Sequence, residues 1–176
     1  MSKNFWHDIE TGGDVPEIIN VIVEIPKGSM NKYEYDKKHN MIKLDRVLFS
    51  PFHYPGDYGL IPQTLSEDGD PLDALVLVTN PTYPGILIES RPIGLLEMKD
   101  DGEPDDKIIC VSTNDPRYLH TSDIENIEDH YRSEIAHFFQ VYKELEGKKV
   151  EIIGWKDAKK VVIESIKRYK ETLKKY

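Results

Sequence analysis

The sequence predicts a mainly β fold, a closed or nearly closed barrel with two long helices packed on it. Roughly seven apolar segments of strand length are separated by turn residues, a spacing typical of β-sandwiches and barrels. Helical periodicity occurs only late in the chain. No repeat or linker divides the 176 residues, a length that suits one folding unit. We therefore expect a single domain over residues 1–176.

The strands are predicted from alternation and from turn residues. Every second position from Ile19 to Ile25 is apolar, which predicts a half-buried strand with Glu24 on its other face. Residues 32–36 and 42–49 predict a hairpin that turns at residues 38–40. Four further strands are predicted at Leu72–Val78, Ile86–Met98 with a break at Arg91-Pro92, Lys107–Ser112 and Val150–Trp155.

Two helices are predicted near the end of the chain. Apolar residues recur at three- and four-residue steps from 131 to 145, with Ser122 or Asn126 as the expected N-cap and Gly147 beyond the end. A second helix is expected to begin after Asp157. Lysines occupy one face of this helix, and the other carries the apolar residues Val162, Ile166, Tyr169 and Leu173.

Charge and composition exclude several functional classes. The chain has 32 acidic and 23 basic residues, a net charge of −9 that opposes binding to nucleic acid or an anionic membrane. No apolar run reaches the roughly 18 to 20 residues of a membrane span, and residues 1–10 lack the apolar region of a secretion signal. We expect a soluble, cytoplasmic protein without nucleic-acid or membrane partners. The lone Cys110 lies in an apolar run and is expected to be a buried, inert thiol.

The sharpest local signal is the acidic segment 68–73. It contains Asp68, Asp70 and Asp73, and Gly69 and Pro71 hold these carboxylates in a tight bend. Carboxylates so close repel one another, and a hard divalent cation with oxygen ligands relieves that repulsion. The segment is not an EF-hand loop, because the expected glycine and glutamate are missing from the sixth and twelfth positions counted from Asp68.

A second acidic loop, residues 100–106, joins two predicted strands and is followed at once by Lys107. By itself it fits a solvated hairpin loop. Carboxylates at the strand ends of a barrel converge at one mouth, so the two acidic segments together suggest two or more metal ions in a shared site. Lysine, arginine and tyrosine recur near these acids. These residue types indicate a metal-dependent site for a phosphate-like anion, but they do not identify the anion or the reaction.

Taken together, the acidic segments and the basic and tyrosine residues near them form a recognisable set of motifs. The segment Asp68–Asp73 meets the signature D-[SGDN]-D-[PE]-x-D without departure, and from about Glu17 to Trp155 the chain closely resembles the soluble, family I inorganic pyrophosphatases. Two minor departures are His53, where the family often has an aromatic residue, and Pro104 in the second acidic loop. Further matches in type and order are Glu24-Ile25-Pro26, Lys32-Tyr33-Glu34, Asp45-Arg46, residues 54–59, Arg91-Pro92-Ile93-Gly94, His137-Phe138-Phe139 and Tyr142-Lys143.

The resemblance implies hydrolysis of pyrophosphate to two orthophosphates by a water activated by Mg²⁺, with several ions per site. It also implies an α+β, mainly β fold: a distorted five-stranded OB-like closed barrel with additional strands and two long flanking helices. Bacterial and archaeal members of the family are usually hexameric, so a homohexamer is expected. Mn²⁺ and Zn²⁺ are possible substitutes that the sequence does not rank against Mg²⁺.

The resemblance also assigns roles by position. Asp70 is similar to the general base, and Tyr54 to a hydroxyl just behind the site. Ligands of the first metal correspond to Asp68, Asp73 and Asp105, and Asp73 is shared with the second. Asp100 and Asp105 resemble ligands of a metal that accompanies the substrate, and Glu24 and Glu34 resemble outer or water-mediated partners. The expected phosphate-binding groups are Lys32, Arg46, Tyr58, Lys107, Tyr142 and Lys143.

Other functions remain open from the residues alone. A nucleotide-hydrolysing two-metal phosphatase is disfavoured because no Gly-x4-Gly-Lys-[Ser/Thr] loop is present. An OB-type oligonucleotide-binding module could stack bases on the ten tyrosines, but the net charge of −9 opposes it. A metal-buffering protein without catalysis is a third possibility, and turnover alone separates it from an enzyme.

Overall fold

The structure, a computed structural model, describes residues 3–174, so residues 1–2 and 175–176 of the predicted domain lie outside the described part. Short 3-10 helices lie at 116–118, 124–126 and 144–146. The two α-helices are α1 (Asp129–Val141) and α2 (Lys159–Leu173). The strands are β1 (Ile19–Ile25), β2 (Asn31–Asp36), β3 (Met41–Val47), β4 (Asp57–Leu60), β5 (Asp73–Leu77), β6 (Leu87–Asp100), β7 (Glu103–Pro104), β8 (Lys107–Ser112) and β9 (Val150–Lys156).

Five strands form a ring. Neighbours pair in the order β1, β4, β5, β8 and β6, and β6 returns to pair with β1. The β5–β8 pair is parallel, whereas the other pairs of the ring are antiparallel. Strand β9 extends the sheet along β6, and β2 and β3 form a separate hairpin. The prediction of a mainly β fold with two long helices is confirmed.

Strand β4 was not predicted from the sequence. The segment before and within it, residues 54–59, contains a proline and two glycines and is typical of a turn. Gly59 permits the strand, because a side-chain carbon there would lie 1.9 Å from the carbonyl oxygen of Ile22 on β1. This close approach seats β4 between β1 and β5 and places Tyr58 at the site.

Three predicted boundaries are corrected. The break at Arg91-Pro92 is absent, because β6 runs through it and absorbs the proline in an irregularity of its pairing with β8 between Pro92 and Gly94. Helix α1 ends at Val141, and a 3-10 turn rather than continued helix leads to residue 146. Neither Ser122 nor Asn126 caps α1: Glu128 holds that position without a side-chain bond, and Asn126 belongs to the capping box of the preceding 3-10 helix.

The ring strands are buried on both faces. Alternate residues of β5 divide between two apolar clusters: Leu75 and Leu77 pack with α1, and Ala74 and Val76 with residues of α2. Cys110 is fully buried as predicted, and burial raises the pKa of its thiol. Within residues 3–174, no helix combines the length and the hydropathy that crossing a membrane requires.

Candidate active site

The two acidic segments meet in one cavity of about 720 Å³. It lies among the β2–β3 hairpin, the ring strands and the end of α1. All but two of the residues predicted for the site line it. The predicted residues that line it are Glu24, Lys32, Glu34, Tyr58, Asp68, Asp70, Asp73, Asp100, Asp105, Lys107, Tyr142 and Lys143. The exceptions, Arg46 and Tyr54, do not line it.

Lys107 forms the centre of the cavity floor. The parallel pairing of β5 with β8 sets it directly beside Asp73, and its side chain is only 2% exposed. The ammonium donates to Asp73 Oδ2 at 2.7 Å and also to Asp105 Oδ1. Burial opposes a charge here, but Asp73 and Asp105 outweigh it and raise the pKa of Lys107. The floor therefore holds a permanent cation between two carboxylates.

Glu24 and Tyr58 lie close to Asp73, and the Tyr58 ring centroid is 5.8 Å from the Lys107 ammonium. Burial and the nearby Asp73 raise the pKa of Glu24 to about 8, although the Tyr35 backbone N–H donates to its Oε1 at 2.6 Å and opposes the shift. Burial, with the charges of Asp73 and Asp105, also raises the pKa of the Tyr58 hydroxyl well above its ordinary value. Tyr58 therefore keeps a proton that it can donate to an anion.

The end of α1 supplies a second cation. Lys143 follows the C-cap Tyr142, and its ammonium contacts Oδ2 of Asp100 and lies 5.3 Å from the Tyr142 ring centroid. Oδ1 of Asp100 is buried and has no hydrogen-bond partner among residues 3–174. A buried acceptor without a partner costs free energy, so this oxygen has the capacity to bind a further positive group.

The acidic segment 68–73 forms the rim of the cavity. The Asp70 backbone N–H donates to Asp68 Oδ1 at 2.9 Å, and Gly69 takes a φ of +90° that favours glycine. The Lys37 ammonium contacts the Asp70 carboxylate and lies 4.6 Å above the Trp6 ring. Sequence reasoning missed Lys37, because a lysine next to a hairpin turn carries no local sign of a partner 33 residues away.

The β2–β3 hairpin carries the remaining predicted groups. Lys32 Nζ lies 3.1 Å from Asp45 Oδ2 and 3.7 Å from Glu34. Arg46 contacts the same Asp45 oxygen, although it does not itself line the cavity. Tyr54 does not line the cavity either. It is buried in the core, with its ring centroid 5.5 Å from that of Tyr58.

The donor set fits a hard divalent cation by type, since the cavity acids offer only carboxylate oxygens. One oxygen of Asp100 has no partner in the described part of the chain. The acids are not gathered around a common point. Within residues 3–174, no three Asp, Glu, His or Cys side chains form a ready cluster for a metal ion. Lysines lie among them instead, so a cation between Asp73 and Asp105 would compete with Lys107.

Comparison with known proteins decides the family. The family model described as inorganic pyrophosphatase matches residues 21–172. The chain belongs to the inorganic pyrophosphatase family. Among curated members, the inorganic pyrophosphatase of Halobacterium salinarum is 53% identical over 156 residues, which cover 88% of each chain. That of Haloferax volcanii is 51% identical over 172 residues, covering 96% of this chain and 97% of the relative.

A solved inorganic pyrophosphatase shares the fold. The crystal structure of the enzyme from Thermus thermophilus superposes with a TM-score of 0.91 at 46% identity. The match covers 96% of this chain and 99% of the other. The resemblance inferred from the signature segment is thereby confirmed at the level of the inorganic pyrophosphatase family.

Proposed function

We propose that this chain hydrolyses inorganic pyrophosphate to two orthophosphates. The observation that carries the proposal is the convergence of both acidic segments and five lysines on one cavity, in a chain of the inorganic pyrophosphatase family. Pyrophosphate is small and highly charged, and a polar cavity lined by Lys32, Lys107 and Lys143 suits it.

The cations and hydroxyls of the cavity bind the phosphates. Lys107 and Lys143 hold the substrate from the floor and from the end of α1, while Tyr58 and Tyr142 donate hydroxyl hydrogen bonds. Lys32 and Arg46 approach from the hairpin. Their positive charges offset the negative charge that gathers on the departing phosphate, the point at which phosphoryl transfer most needs stabilisation. Tyr54 supports Tyr58 from behind.

Asp70 accepts the proton of the attacking water. Its carboxylate lies on the exposed rim, where one oxygen contacts Lys37 and where water reaches it freely. A carboxylate that water reaches is placed to accept a proton from it.

Divalent cations complete the site. Asp68, Asp73 and Asp105 would hold a first ion, and Asp73 would share a second. Asp100 and Asp105 would hold an ion that arrives with the substrate, and Glu24 and Glu34 would bind through water. Such ions lower the pKa of a coordinated water and offset phosphate charge. We infer Mg²⁺ from the all-oxygen donor set, with Mn²⁺ or Zn²⁺ as substitutes.

The same inference extends to the whole molecule. We assign residues 1–176 to one pyrophosphatase domain and describe the ring of five strands as a distorted OB-like barrel. We further propose a homohexamer that acts in the cytoplasm, without nucleic-acid or membrane partners. Size-exclusion chromatography with light scattering tests the hexamer, because a monomeric mass of 20.4 kDa would overturn it.

Phosphate release tests the function directly. We expect rapid release from pyrophosphate with Mg²⁺, little release from ATP, and loss of activity in excess EDTA that added Mg²⁺ restores. Full activity in EDTA would refute the role of metal. Turnover of ATP at the same rate would favour the nucleotide-hydrolysing alternative, and metal binding without turnover would favour a metal buffer.

A further inference from the structure

Arg46 is held from two sides by carboxylates. Its Nε and Nη2 donate to Oε1 and Oε2 of Glu146 at 3.1 and 2.7 Å, a bidentate pair. Its Nη1 donates to Asp45 Oδ2. The Glu146 side chain is only 12% exposed and that of Arg46 26%. A bidentate Arg–carboxylate pair fixes the plane of the guanidinium as well as its distance, and partial burial strengthens it.

The pair leaves part of the guanidinium free. Arginine has five N–H donors. Two are taken by Glu146 and one by Asp45, so within residues 3–174 two N–H groups of Arg46 remain without a protein acceptor. These groups belong to Nη1 and Nη2, the two nitrogens that can together bind a pair of phosphate oxygens.

The Arg46 guanidinium lies next to a residue that lines the cavity. Arg46 is the cross-strand partner of Lys32, and both cations contact Oδ2 of Asp45, at 3.1 Å in the case of Lys32. Lys32 itself lines the cavity. The guanidinium is therefore a direct neighbour of a cation that we assign to the substrate.

Glu146 also connects two parts of the site. It lies in the 3-10 turn after α1, and its backbone N–H donates to the Lys143 carbonyl at 3.0 Å. Gly147 closes the turn with a φ of 75°. Glu146 thus joins the hairpin that carries Lys32 and Arg46 to the helix end that carries Lys143.

We propose that Glu146 is a positioning residue for pyrophosphate binding: it orients the guanidinium of Arg46 so that the two remaining N–H groups face a substrate phosphate beside Lys32. The inference deepens the proposed function and rests on it. Glu146 does not contact the substrate and acts only through Arg46.

A double-mutant cycle tests the inference. Glu146→Gln keeps the size of the side chain but replaces one carboxylate oxygen with an NH2 group, which cannot accept a hydrogen bond from the guanidinium. We expect the KM for pyrophosphate to rise about tenfold with kcat changed less than about threefold, because an interaction shared by the bound substrate and the transition state is weakened. In an Arg46→Lys background, which cannot form the bidentate pair, Glu146→Gln should have no further effect.

Glu144→Gln is the matched control. It removes the same charge from the same 3-10 turn, but Glu144 is exposed and forms no ion pair within the described residues, so KM should stay at the wild-type value. Glu146→Asp covers the case in which the glutamine variant fails to fold. The shorter carboxylate keeps the charge but loses one of its two contacts, and we expect an intermediate KM.

Affinity for methylenediphosphonate, measured by calorimetry with Mg²⁺, separates this inference from the proposed function. A wild-type protein that binds this uncleavable probe but releases no phosphate would refute the function, while a tenfold weaker Glu146→Gln would still support the positioning role. Unchanged affinity and KM in Glu146→Gln, or a full additive effect in the Arg46→Lys background, would overturn the inference. Absence of binding by the wild type would overturn both.

Discussion

The cavity has a floor around Lys107 and a mouth, the rim at which Lys37 meets Asp70. Both contain a lysine–aspartate contact, but the floor contact is buried and the mouth contact is exposed to solvent. At the floor, the Lys107 side chain is 2% exposed between Asp73 and Asp105. At the mouth, the Lys37 and Asp70 side chains are 45% and 61% exposed. Desolvation raises the pKa of the floor groups Glu24, Tyr58 and Asp105. It opposes the charge of Lys107, but Asp73 and Asp105 outweigh it and raise the pKa of that lysine. A Lys–Asp contact is therefore desolvated at the floor and screened by water at the mouth.

The difference follows from the elements that carry each half. The floor residues lie on paired strands, and the registers of β4 with β5 and of β5 with β8 fix their positions. At the mouth, Asp70 lies on a turn and Lys37 at the end of a hairpin. They are joined by an exposed ion pair, and such pairs contribute little to the free energy of unfolding and break at low cost. The floor is suited to hold charge in place, and the mouth to rearrange around cations and substrate.

The largest expected effect is at the floor. Lys107→Met leaves Asp73 and Asp105 facing each other without their buried cation, and we expect a loss of about 3 to 5 kcal/mol in the free energy of unfolding. Urea denaturation in EDTA measures it. The exposed Lys99 is the control, because Lys99→Met should change stability by less than about 0.5 kcal/mol. Equal effects of the two variants would contradict the distinction between floor and mouth.

The next effect depends on pH. Glu24 has an ordinary pKa of 4.5 that burial and Asp73 raise to about 8 in the folded state. The folded protein keeps this proton where the unfolded chain loses it, so its contribution is complete below pH 4.5 and is lost as the pH rises towards 8. We expect Glu24→Gln, in EDTA, to stabilise the protein at pH 8.5 by roughly a few kcal/mol and to change it little at pH 4.

Thermal melts of the wild type and Glu24→Gln across this range provide the measurement. The amide oxygen of glutamine can still accept from the Tyr35 N–H, so the hydrogen bond is conserved and the comparison isolates the charge. A stability difference that stays constant from pH 4 to pH 8.5 would show that the Glu24 carboxyl is not desolvated at the floor.

At the mouth, the expected effect is on rate. Asp70→Asn removes the proposed base and should lower kcat about 10²-fold or more, while the melting temperature stays close to that of the wild type because the side chain is exposed. Initial rates of phosphate release provide the measurement. Glu67→Gln, which changes an exposed acid immediately before segment 68–73, serves as the control and should keep the wild-type rate. An unchanged kcat in Asp70→Asn would remove Asp70 from its role.

The smallest effect concerns Lys37. Its contact with Asp70 and its position over Trp6 are exposed interactions, so Lys37→Met should change the free energy of unfolding by less than about 1 kcal/mol. The same urea titration used for Lys107→Met gives the value. A loss as large as that of Lys107→Met would mean that exposure does not separate the two lysine–aspartate contacts.

How far the sequence predicts this molecule depends on the range of the interactions. Segment 68–73 was recognised because its bend and its acids are neighbours in the chain. Strand β4 was missed because its glycine becomes favourable only where Ile22 of another strand approaches it. The contacts of Lys37 with Asp70, and of Arg46 with Glu146, span 33 and 100 residues, and no local pattern marks either pair.

By itself the sequence determined the mainly β composition, the two amphipathic helices, the acidic segments and the family, because each depends on short spacings or on an ordered set of motifs. Only the tertiary structure decided that the ring closes between β1 and β6, that Lys107 lies buried between two acids and that Arg46 pairs with Glu146. Burial and charge pairing depend on which distant segments pack together, and the spacing of neighbouring residues does not encode that packing.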